Sequence, residues 1–145
     1  MTLPPLPDDA ILLGADAADW RAAVRLAGDA LARSGAATTA YSDEMIRMIE
    51  EHGPYVVIAP GLALAHARPG PSVLADGLAV VTLARAVAFG HPHNDPVTVV
   101  IALASASASQ HLAAVAAVAN VFNDETSVAR LEAAASVDDV RLALG

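Results

Sequence analysis

The chain has 145 residues, enough for one domain with a proper core, and 55% of them are hydrophobic, with alanine and valine supplying most of the excess. Its formal charge is −8, and every one of its eight basic residues is arginine. That balance argues against a nucleic-acid partner, which needs a basic face, and the missing lysine excludes a Walker-type phosphate loop.

The opening "MTLPPLPDDA" carries two aspartates and no basic segment before an apolar stretch, so it does not read as a secretory leader. With no cysteine either, a cytoplasmic protein is expected. From about Asp19 to Arg33, Trp20, Val24, Ala27 and Leu31 recur at three- and four-residue spacing, which predicts an amphipathic helix. Arg21, Arg25, Asp29 and Arg33 follow a neighbouring, solvated stripe, with Asp29 placed to pair with the arginines four residues to either side. Ser34-Gly35 ends this helix. A second runs from about Thr39 to Glu51 with Tyr41, Met45, Ile46 and Ile49 inward, and stops at Gly53-Pro54. His52 falls in its last turn, where a cation suits the helix dipole, and reads as structural.

Between Tyr55 and Ser105 the period changes. "YVVIA", "GLAVVTLA" and "VTVVIALA" are short apolar runs bounded by Pro, Gly, Asn or Asp, hence buried strands. Being apolar on both faces, they imply a sheet covered on both sides by helices, and the fold class is α/β. The stretch "IAPGLALAHARPG" reads as an irregular segment between strands, with His66 between Ala65 and Ala67 and framed by Pro60-Gly61 and Pro69-Gly70. Rigidly mounted loops are where reactive groups are held, so His66 is either a reactive group or a plain surface histidine. Arg68 is placed to clamp a transferred phosphoryl group.

In "GHPHNDP", His91, His93 and Asp95 alternate and would point to one side of an extended chain, as a trio of metal ligands would. The intervening Pro92 and Asn94 favour a turn carrying incidental histidines. No Asp, Glu, Lys or Arg occurs from Pro96 to Asn123, yet the dense apolar part is only a strand long and "SASASQH" would be unsatisfied in lipid. A membrane span is therefore not expected. Ser107-Ala-Ser-Gln110 is a capping box that opens a helix with Leu112, Val115, Val118 and Phe122 toward the core, and it puts His111 in the first turn. Two short helices follow, one near Asn123-Asp124 and one at Ser136, where "SVDD" is another box. The chain contains no internal repeat and no linker, so one domain over residues 1–145 is expected.

"GPYVVIAPGLALAHARPG", "NDPVTVVIALA", "SQHLAAVAAVANVFNDE" and "SVDDVRLAL", in that order, resemble the IIA phosphocarrier domains of the bacterial phosphoenolpyruvate-dependent sugar phosphotransferase system. The likeness is to the fructose/mannitol class and, within it, the ascorbate-type branch, and it extends from about Ile11 onward. What it implies is a mixed sheet with helices on both sides and a phosphotransferase working through a covalent phosphohistidine, without a cofactor or metal. His66 matches the family's phosphorylated histidine, which takes a phosphoryl group from phospho-HPr and passes it to the IIB component. His111 matches the assisting histidine, Arg68 an arginine common in the ascorbate-type branch, and Asn94-Asp95-Pro96 a structural motif of that branch. Two departures stand out. The family's proline before the reactive histidine is Ala65 here, which implies a less rigid loop. The register where mannitol-type relatives carry an arginine holds Met48, and that role does not pass to the adjacent Arg47. A regulatory relay using the same histidine and a metal-dependent enzyme at His91 and His93 are the alternatives. The sugar and the oligomeric state, a homodimer included, stay open, as does the imidazole nitrogen that is phosphorylated.

Overall fold

Asp19 opens the first helix, α1 (Trp20–Arg33): its backbone is extended and its side chain accepts the Ala22 amide at 2.9 Å. This lies within residues 3–145, the part of the chain that the computed structural model describes; residues 1 and 2, where the single-domain and leader readings begin, lie outside it. Val24, Ala27 and Leu31 are fully buried as the spacing predicts, while Trp20 stays half-buried against Phe89. The arginine stripe pairs otherwise than expected. Arg21 bonds Glu50 at 2.9 Å, Arg25 bonds Asp43 at 2.8 Å, and Arg33 donates to the Asp9 carbonyl, so Asp29 is left to solvent. An i, i+4 pair contributes only about 0.2–0.5 kcal/mol, and carboxylates on the adjoining helix displace it.

That adjoining helix, α2 (Ala40–His52), buries Tyr41, Met45, Ile46 and Ile49 as predicted, and also Ser42. The two helices cross closely at Gly28, where an added Cβ would overlap the Ser42 hydroxyl.

Five strands form one mixed sheet in the order β1-β4-β5-β3-β2, comprising β1 (Ile11–Ala15), β2 (Val57–Ala59), β3 (Leu62–His66), β4 (Gly77–Val87) and β5 (Val97–Ala104). β1 runs parallel to β4 and β3 parallel to β5, whereas β4–β5 and β2–β3 are antiparallel. Two of these strands are not predicted by the sequence pattern. β1 is a short edge strand, only partly buried, without a clear alternation. β3 corrects a larger point: Pro60-Gly61 is a tight turn, with Gly61 at φ +80°, and "LALAH" after it is a strand rather than a loop. Alanine is a weak strand former, but pairing on both edges overrides that preference. The approach to His66 is therefore held by the sheet, without the proline that Ala65 replaces.

The strands sort their side chains by size. Ala63, Ala65, Ala79, Ala102 and Ala104 lie in the core that α1 and α2 cover. Leu62, Leu64, Leu78, Ile101 and Leu103 lie in a second core under α3 (Ala108–Val121), α4 (Ser127–Glu132) and α5 (Val137–Leu144). Helices thus cover both faces, as expected.

Along α3 the buried stripe is Ala114, Ala117 and Val118, and Leu112, expected inward, is 74% exposed. Small residues all round this helix leave no polar face to mark its rotation, and alanine, not leucine, meets the sheet. α4 begins at Ser127, a few residues after Asn123-Asp124, because Asp124 first accepts the Thr126 amide in a preceding turn. α5 starts as predicted: Ser136 accepts the Asp139 amide while the Asp139 carboxylate accepts that of Ala135. Among the described residues no helix is long and apolar enough to cross a membrane.

Candidate functional site

His66 closes β3, in parallel register with Leu103 of β5. Strand alternation turns it to the face of Leu62 and Leu64, toward α3. Its Nδ1 lies 2.9 Å from the Leu64 carbonyl oxygen. A carbonyl only accepts, so Nδ1 carries the proton and Nε2 keeps the free lone pair. Burial holds the imidazole below its ordinary pKa of 6.5; the bond to Leu64 opposes this, and the neighbouring His111 adds to it. The ring is consequently a neutral nucleophile near pH 7.

His111 arrives from the opposite layer, in the first turn of α3. Ser107 caps that turn by accepting the Gln110 amide at 3.3 Å, and the His111 amide bonds the Ser107 carbonyl at 2.9 Å. The two imidazoles stand 5.1 Å apart, tilted by 51°. Nδ1 of His111 is buried without a hydrogen-bond partner among the described residues, and burial lowers this ring's pKa as well. Burial therefore favours the neutral ring of His111.

Arg68 follows two residues after His66, exposed, and no carboxylate among the described residues lies within salt-bridge distance of it. His66, His111 and Arg68 line one cleft of about 370 Å³, so the structure brings all three predicted residues together. Met48 shares that cleft, whereas Arg47 lines an adjoining hollow of about 290 Å³ beside Glu44 and Glu51.

Three contributors were not legible as such. Tyr41, expected only as core, is fully buried, and its hydroxyl accepts the Ala67 amide at 3.0 Å and donates to the Leu103 carbonyl at 2.7 Å. It straps the residue after His66 to the residue paired with it. Burial pushes the phenol up to about 12, so the proton stays in place. His52 and Tyr55 flank the turn after α2 and line the cleft, Tyr55 lying 5.9 Å from the His66 ring. His52 does end a helix as expected, but at the site. No spacing rule connects these residues to position 66; only the path of the chain through the sheet does.

"GHPHNDP" forms a turn and does not extend. Asp95 accepts the Phe89 and Gly90 amides, His91 Nδ1 accepts those of His93 and Asn94, and the Asn94 side chain donates to the Val57 carbonyl. Among the described residues His91, His93 and Asp95 do not come together as a three-ligand group; Asn94 and Asp95 instead bond the backbone around the turn.

Residues 5–144 match the family model described as "Phosphoenolpyruvate-dependent sugar phosphotransferase system, EIIA 2". An ascorbate-specific PTS system EIIA component of Shigella boydii is 37% identical over 131 residues, covering 90% of this chain and 85% of the relative. The crystal structure of the mannitol IIA from Escherichia coli superposes with a TM-score of 0.85 at 26% identity, over 97% of this chain and 99% of that one. A complex of the mannitol IIA with phosphorylated IIB, also from Escherichia coli, gives 0.85 at 26% identity, over 97% and 96%.

Proposed function

The chain belongs to the EIIA 2 family of the phosphoenolpyruvate-dependent sugar phosphotransferase system, and on that premise we propose that His66 is its phosphoryl carrier. It accepts the group from phospho-HPr and delivers it to a IIB component, in the cytoplasm, for uptake of an ascorbate-like sugar. The observation that carries this reading is the 2.9 Å contact of His66 Nδ1 with the Leu64 carbonyl, which can only accept and so leaves the lone pair on Nε2, in a cleft lined also by His111 and Arg68. The ascorbate-specific relatives support the sugar class, and the mannitol complex supports transfer to a IIB protein.

In the first transfer the Nε2 lone pair forms a bond to phosphorus as the bond from phosphorus to the donor's histidine breaks, and the donor nitrogen leaves with the electron pair. In the second, the nucleophile of the IIB component attacks the same phosphorus and Nε2 takes its pair back. Charge on the phosphoryl oxygens is met by the Arg68 guanidinium and by an N–H of His111, which burial keeps neutral.

Incubation with phosphoenolpyruvate, enzyme I and HPr, followed by intact-mass measurement, should show one acid-labile phosphoryl group per chain. Absence of the gain under conditions that charge HPr overturns the reading.

A further inference from the structure

We propose that Tyr55 is a positioning residue for His66, its ring holding the imidazole in the plane that directs Nε2 into the cleft. The inference rests on His66 as the acceptor, and its observations are geometric. The Tyr55 and His66 rings are nearly perpendicular, at 85°, with centroids 5.9 Å apart, the arrangement in which the positive edge of one ring meets the negative face of another. His111 stands 5.1 Å away at a different tilt, and Tyr55 and His111 both line the cleft with His66. An imidazole carrying a single hydrogen bond can still turn over about χ2, since that torsion is broad and roughly two-fold. Turning it by half a rotation would release Nδ1 from Leu64 and put Cε1 where Nε2 faces the phosphoryl donor. The contact with Tyr55 opposes that rotation.

Tyr55 is itself anchored where His66 is anchored. Its amide bonds the Gly53 carbonyl at 2.9 Å, across a turn in which Gly53 takes φ +85°. The next residue, Val56, is fully buried, and its carbonyl accepts the Leu64 amide at 2.8 Å. Leu64 in turn supplies the carbonyl that holds His66 Nδ1. The Leu64–Val56 hydrogen bond therefore ties together the two segments that carry the rings. Tyr55 nonetheless keeps 41% of its surface exposed, more than core packing alone would leave. Its hydroxyl is not required by this geometry; the ring is.

Two variants separate the roles. Tyr55→Ala should accept phosphoryl from phospho-HPr about threefold to tenfold more slowly than wild type, and Tyr55→Phe should restore the rate, because the ring contact survives. The second readout needs no phosphoryl transfer. Nitrogen-15 shifts of His66 near pH 7.5 should report an Nδ1–H tautomer in wild type and Tyr55→Phe, and a mixed population in Tyr55→Ala at an unchanged midpoint of thermal unfolding. An unmixed tautomer in Tyr55→Ala overturns the proposal, as does Tyr55→Phe behaving like Tyr55→Ala in the rate. Failure of His66 as acceptor would appear separately, as no phosphoryl gain in wild type while the tautomer shifts still respond to the ring.

Discussion

Two pairs of histidines lie at similar spacing in this protein, His66 with His111 at 5.1 Å and His91 with His93 at 6.2 Å between ring centroids. The first pair unites a strand end with the opening turn of a helix from another layer, and leaves His111 Nδ1 with no partner among the described residues. The second sits within three residues of one turn, and His91 spends its Nδ1 accepting two amides of that same turn. Proximity is common to both pairs. What distinguishes the first pair is enclosure: His111 Nδ1 is buried between layers with no partner among the described residues, whereas His93 is exposed to solvent.

The largest effect expected from that contrast is in labelling. His66→Ala should show no phosphoryl gain in intact-mass measurement, whereas the double variant His91→Ala/His93→Ala should be labelled like wild type. Comparable labelling of the His66 variant would move the acceptor elsewhere.

A smaller effect follows from the unpartnered nitrogen of His111. His111→Ala should still be phosphorylated, but about tenfold to a hundredfold more slowly in at least one of the two transfers, as expected for loss of a positioned donor. His111→Gln, which keeps an N–H, should recover part of the loss. Quench-flow transfer from phospho-HPr and onward to the IIB partner distinguishes them, and equal rates for the alanine variant in both steps would reduce His111 to a helix residue.

The smallest effect is on stability. Both His66 and His111 have pKa values lowered by burial, so between the folded and unfolded values the unfolded chain binds more protons. Their contribution is then complete above about 6.5 and is lost as pH falls through and below that point. Urea unfolding of wild type should weaken on acidification across this window, and His66→Ala/His111→Ala should weaken less. A steeper loss in the double variant would contradict the burial of the pair.

Much of the fold was readable from residue order. The helical periods of α1 and α2 and the caps at Ser107 and Ser136 are local features, and local features are written locally. Local spacing already set Arg68 beside His66, and the family resemblance alone added His111, which is far away in the chain. Other features depended on the sheet. "LALAH" looks like a loop until β2 and β5 pair with it, and Leu112 looks like core until the alanines of α3 are seen to meet the strands instead. Tyr41 and Tyr55 read as apolar bulk. Their roles arise from where residues dozens of positions away end up, and a hydroxyl or ring carries no local mark of that.

The sheet's two covered faces have a consequence for incompletely folded chains. His66 is mounted on the sheet, Tyr41 and His52 come from the layer on one side of it, and His111 comes from the layer on the other. A chain with only one layer docked would expose His66 without His111, or with the Tyr41 strap on Ala67 undone. On the proposed role of His66, such an intermediate should draw few phosphoryl groups from a charged carrier.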